Sequence, residues 1–126
     1  MKRTILYTFI AAGLLLAGDE VVRHKAAMDQ AQEWKDDLRD ALDAKDAAKA
    51  AELAKKLVDA AAAEAAYWQR EKFEDVKKLA ADNLAAAQAV REAARAGRLV
   101  EAEGAYGRLE SSCRACHDLH PEKRVK

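Results

Sequence analysis

The chain has 126 residues, with 22 Lys and Arg against 22 Asp and Glu and a formal net charge of zero. That length holds one domain, and the charge balance removes the usual electrostatic case for a nucleic-acid binder. One Pro and five Gly argue against a turn-rich β-sandwich or barrel. Alanine fills 31 positions. It buries little area, so a core made from this sequence alone is thin and the fold needs further apolar mass inside.

The chain opens with Met1-Lys2-Arg3 and then runs apolar from Ile5 to Ala17 before the small pair Ala17-Gly18. A charged start, a short apolar stretch and small residues read as a secretory signal over residues 1–18. The run is short for a membrane span, which takes about 20 apolar residues. Leu15 and Leu16 stand where cleavage prefers a small residue, so retention as an uncleaved anchor stays open. Processing leaves residues 19–126, a domain with 20 basic residues against 22 acidic ones. A periplasmic location follows from this reading.

Everything after Asp19 is dominated by strong helix formers and acids, with apolar positions three and four apart. The spacing predicts a first helix from Asp19, as N-cap, to Ala44, with Val21, Met28, Ala31, Leu38 and Leu42 near one stripe. A turn at Asp43–Asp46 lets Asp46 cap a second helix, Ala47 to Trp68, whose inner face is Ala50, Leu53, Leu57, Ala61, Glu64 or Ala65, and Trp68. No Gly or Pro separates it from the next helix. A continuous helix from Ala47 to Ala96 would be about 75 Å long, too long for so small a domain, which puts a turn at Gln69–Lys72. The third helix runs from Phe73 to Ala96 through Val76, Ala80, Asn83 or Leu84, Ala87, Val90 and Ala94. Gly97 suits the left-handed position beyond its end. The fourth runs from Arg98 to Leu119, with Leu99, Ala102, Tyr106, Leu109, Cys113 and Cys116/His117 on one face, and Pro121 stops it. Four long helices with short links predict an all-α antiparallel bundle, a fold that builds cofactor sites between facing helices.

The sharpest motif is Cys113-Arg114-Ala115-Cys116-His117. The pattern C-x-x-C-H reads as attachment of one covalent haem c. Each thiol S–H adds across one vinyl C=C of the porphyrin, its hydrogen going to the other vinyl carbon, and the adjacent imidazole becomes the proximal iron ligand. A disulfide or redox pair is the plainer alternative, but a thioredoxin-type motif belongs in a βαβ unit. Zinc takes about four ligands, and Cys113, Cys116, His117 and His120 crowd into a single short stretch.

With this motif near its C-terminus, the chain resembles the cytochrome c′ family of four-helix-bundle cytochromes. The likeness covers the mature chain in layout. It is most specific over Ala94–Asp118, where Ala-Arg-Ala-Gly is followed by a helix and Ser-Cys-Arg-Ala-Cys-His-Asp. The family usually has an aromatic and an Arg after the Cys-His-Asp. Here Leu119-His120-Pro121 follows, and His120, Lys123 or Arg124 would have to stand in for the Arg beside a haem propionate. The mature chain is also somewhat short for the family.

The resemblance implies a sixth iron position on the first helix. Met28, the one methionine outside the signal, is the expected distal ligand and would make a low-spin electron carrier. His24, one turn earlier on the same face, is the rival ligand. With neither bound, the iron is five-coordinate and open to small gases such as NO or CO. Tyr106, seven residues before Cys113 on the same face, is the expected haem-packing contact, and Trp34, Tyr67, Trp68 and Phe73 are spaced as core or haem-packing residues. No acid–base or nucleophile constellation appears, so no enzyme activity is expected. The expected partners are redox proteins and, by resemblance, a second copy of the chain; no nucleic acid is expected, and no membrane span in the cleaved form. A haem-free helical interaction protein is the third reading.

Overall fold

The computed structural model describes residues 2–71 and 73–119, with side chains described for 23–71 and 73–118. Lys72, His120, Pro121, Lys123 and Arg124 lie outside the described residues, as do the side chains of residues 1–22. Four helices follow in order: α1 (Lys2–Asp43), α2 (Ala47–Trp68), α3 (Glu74–Arg95) and α4 (Leu99–Leu119). There is no strand among the described residues. The fold is an all-α four-helix bundle. Among the described residues, no helix is long and apolar enough to cross a membrane.

One boundary differs from the sequence expectation. The backbone is helical from Lys2 without a break, so Asp19 is an interior position of α1 and not its N-cap. The Leu- and Ala-rich stretch before Asp19 has high helix propensity, and its isolated Gly13 and Gly18 carry too small a penalty to break the run.

The other boundaries have visible local causes. After α1, the Asp46 N–H donates to the Ala41 carbonyl (2.9 Å) and the Lys45 N–H to that of Leu42 (3.1 Å). After α3, the Arg98 N–H donates to the Ala93 carbonyl (2.8 Å) and the Gly97 N–H to that of Ala94 (3.0 Å). Both are the same paired-bond helix ending, which needs a left-handed residue just past the helix. Gly97 adopts it at φ 74°, and Lys45 adopts it at φ 56° against the usual penalty for a side chain. The Asp46 carboxylate then accepts from the Lys49 N–H at 3.0 Å and caps α2. Between α2 and α3 the Arg70 N–H donates to the Tyr67 carbonyl and the Glu71 N–H to that of Trp68, tightening the last turn into three-residue steps. Glu74 and Asp75 follow in the first turn of α3, where carboxylates favour the helix dipole.

These three short links make each helix antiparallel to the one before it. α2 packs along α1 and α3, and α3 along α4, whereas α1 meets α4 only slightly. The main core lies where α1 and α2 join: Leu38, Leu42, Leu53, Leu57, Val90, Tyr106 and Leu109 interlock among alanines. A second, smaller core of Trp68, Val76 and Ala80 lies at the other end, flanked by Phe73, Tyr67 and Cys116. At the main-core end α1 and α4 are joined by the Tyr106 hydroxyl, which donates to the Lys35 carbonyl (3.0 Å), and by an Arg39–Glu103 ion pair at 3.1 Å. Nearer the α2–α3 turn, residues of all four helices line a space between the two cores.

Candidate functional site

That space is a cavity of about 330 Å³, partly open to solvent and mostly apolar. Its size falls at the lower end of the range for small-molecule sites. Small residues make the room: Ala27 and Ala31 on α1, Ala60, Ala61 and Ala63 on α2, and Ala80 on α3 all lie in its wall. The alanine-rich composition thus has a spatial meaning, since no large side chain fills this part of the bundle.

α4 brings Cys113, Cys116 and His117 to the cavity together. Steps of three and four residues keep them on one helix face. Both cysteines are free thiols, half-buried. The Cys113 Sγ donates to Asn83 Oδ1 of α3 at 3.2 Å, and the same oxygen accepts from the Ser112 hydroxyl at 3.2 Å. Burial pushes both thiols above the ordinary cysteine pKa, and for Cys113 the nearby Lys35 opposes the shift without cancelling it. The S–H form is therefore held at neutral pH.

α1 supplies Met28 and His24 to the same cavity. Met28 is half-buried in the wall. His24 is engaged: its ring stacks on Tyr67 with centroids 4.0 Å apart and 15° between planes. Its Nδ1 is 3.4 Å from Glu64 Oε2, with side-chain exposures of 13% and 19%. The other Glu64 oxygen accepts from the Trp68 indole N–H. Trp68 meets both His24 and Tyr67 edge-on.

Tyr106 does not line the cavity. It is 2% exposed inside the main core, with Arg39 over its ring at 5.0 Å. It shares the helix face of Cys113, but seven residues is about 10 Å along the axis, and that distance carries it past the cavity floor formed by Leu109. Of the other aromatics, Tyr67 and Trp68 line the cavity. Trp34 packs against the main core under Lys56, and Phe73 packs against the small one.

The sequence placed Glu64 and Asn83 on the inner faces of α2 and α3 only as alternatives to Ala65 and Leu84 and gave them no site role, although a polar residue on an otherwise apolar stripe was the available signal. Arg23, Lys35 and Arg70 are the basic residues of the wall. They could balance ligand carboxylates, the role for which the sequence offered His120, Lys123 and Arg124. Those residues lie outside the described ones, and no local pattern marked the three wall cations.

The donor set fits a covalent haem. Two thiols and an imidazole project from one helix into an apolar space, and a thioether and a second imidazole line it from another. Among the described residues no three His, Cys, Asp or Glu side chains converge on a point, whereas a zinc site takes about four donors. No protein-family model, curated protein or solved structure matches this chain.

Proposed function

We propose that the protein is an exported monohaem c-type cytochrome that carries electrons, in keeping with its resemblance to the cytochrome c′ family. The observation that carries this reading is the gathering of Cys113, Cys116, His117 and Met28, from α4 and α1, around one mostly apolar cavity. A bound haem c supplies one-electron exchange between ferric and ferrous iron. Cys113 and Cys116 would hold it by thioethers, with His117 on α4 and Met28 on α1 as the residues that would ligate its iron. A Met/His pair favours the reduced form and raises the potential. The alanine walls would give the group a mostly apolar setting, and Arg23, Lys35 and Arg70 would offset its propionates. The open side of the cavity is where an electron can pass to and from redox partner proteins. Export agrees with this chemistry, because c-type haem is normally attached outside the cytoplasm.

The test is the optical and EPR spectrum of the oxidised, matured protein beside its Met28→Ala variant, with a pyridine-haemochrome assay for covalent haem. A low-spin spectrum with the far-red Met–iron band, lost in Met28→Ala, is the expected result. A high-spin spectrum in both proteins would replace electron transfer by small-gas binding. Absence of covalent haem would overturn the reading in favour of a haem-free bundle.

A further inference from the structure

The proposed ligation leaves a question of choice. Two side chains able to bind iron, His24 and Met28, lie one turn apart on α1 and line the same cavity. Their Cα positions are separated by about 6 Å along the axis, so one iron can take only one of them on that side. Imidazole is ordinarily a competitive iron ligand, and nothing in the α1 sequence alone disfavours it.

α2 supplies the difference. The His24 ring lies flat on Tyr67 at 4.0 Å, and its Nδ1 faces Glu64 Oε2 at 3.4 Å. Glu64 cannot follow His24 inward without giving up the Trp68 indole bond on its other oxygen. Tyr67 is backed in turn by the Arg70 guanidinium, 5.6 Å from its ring centroid. Trp68, which anchors Glu64, is itself part of the small core. The imidazole is therefore held against α2 by a stacked ring and a carboxylate, both tied to packed residues.

Resting on the haem reading above, we infer that Glu64 and Tyr67 are positioning residues that hold His24 off the iron and reserve the axial position for Met28. The opposite role for Glu64 has a physical precedent: a carboxylate on one ring nitrogen commonly orients a histidine so that its other nitrogen binds metal. The two roles predict opposite spectra once Met28 is gone.

The experiment uses the full chain matured with covalent haem, in four forms: wild type, Met28→Ala, Met28→Ala/Glu64→Leu/Tyr67→Leu, and that triple variant with His24→Ala added. The expected series is low-spin with the far-red Met band, high-spin, low-spin without that band, and high-spin again. A low-spin Met28→Ala protein that becomes high-spin when Glu64 is replaced would overturn the proposal and make Glu64 an orienter of a His24 ligand. A triple variant that stays high-spin would also overturn it. If wild type is already high-spin, the Met28 assignment has failed but the clamp has not. Glu64→Leu/Tyr67→Leu alone should then convert high-spin to low-spin. A readout without haem separates the two further: in the unloaded protein, the His24 ring protons should be shifted upfield by the Tyr67 ring and return to ordinary values in Tyr67→Leu. Ordinary values before the substitution would sink the clamp whatever the haem does.

Discussion

The two ends of the bundle use the same alanine-rich helices to opposite effect. At the end near the α1–α2 turn, each layer of alanines is keyed by a large residue: Leu38 and Leu42 from α1, Leu53 from α2, Val90 from α3 and Tyr106 from α4. At the other end the layers between Leu57 and Trp68 have alanines on three helices and no key, and a cavity results. Alanine brings helices close only when something else fills the seam. Where nothing does, it leaves space for a ligand, and the four-helix architecture itself stays the same.

The most severe way to break this comparison is to remove the proposed filling. Cys113→Ala/Cys116→Ala should abolish covalent haem and the stabilisation that goes with a native-state ligand, read by haem stain on a denaturing gel and by thermal melting. Covalent haem surviving in that variant would contradict the attachment assignment. In the keyed half, Leu38→Ala should cost about 2–5 kcal/mol in denaturant unfolding, since Leu38 is 0% exposed.

The same added volume should separate the halves. Ala50→Leu forces a large side chain into a fully buried site and should cost about 1–3 kcal/mol. Ala60→Leu enters the cavity wall, so the unloaded protein should change by less than about 0.5 kcal/mol while haem attachment falls. Equal destabilisation by the two changes would mean that the open half is not open.

Tyr106 gives the keyed half a pH signature. Burial, with the Glu110 carboxylate as the next cause, raises its phenol to about 12. The folded state thus keeps the proton that the unfolded chain gives up near pH 10. Its contribution is complete below about pH 10 and is lost as the pH rises toward 12, roughly 2–3 kcal/mol in all. Tyr106→Phe should lose about 1 kcal/mol with the hydrogen bond to the Lys35 carbonyl and flatten the alkaline limb of stability against pH. An unchanged limb would place the titration elsewhere.

The smallest effects belong to the two matched helix endings. Lys45→Gly should stabilise by about 0.5–1 kcal/mol, and Gly97→Ala should destabilise by about 1 kcal/mol. Both changes are measurable by urea midpoint.

Much of this was legible before any coordinates. The turn after Trp68 carries no Gly or Pro, yet helix length alone required it, and α2 does end at Trp68. Buried positions such as Ala50, Leu53, Val90 and Ala102 followed from spacing. What periodicity cannot supply is depth along the axis and register between helices. Tyr106 has the face of Cys113 but sits two turns from it, just beyond Leu109 at the cavity floor. His24 read as a lone imidazole on α1, because its partners Glu64 and Tyr67 come from another helix. Asp19 failed as a cap for a different reason: the apolar stretch upstream is as good a helix former as the chain that follows it.

The slight contact between α1 and α4 has a consequence for how the bundle opens. α2 is packed along α1 and α3, and α3 along α4, whereas the first and last helices are joined by the Tyr106–Lys35 hydrogen bond and the Arg39–Glu103 ion pair. Local opening should therefore start along the α1–α4 seam, where the least packing is given up, and amide exchange should be faster there than along the α2–α3 and α3–α4 seams.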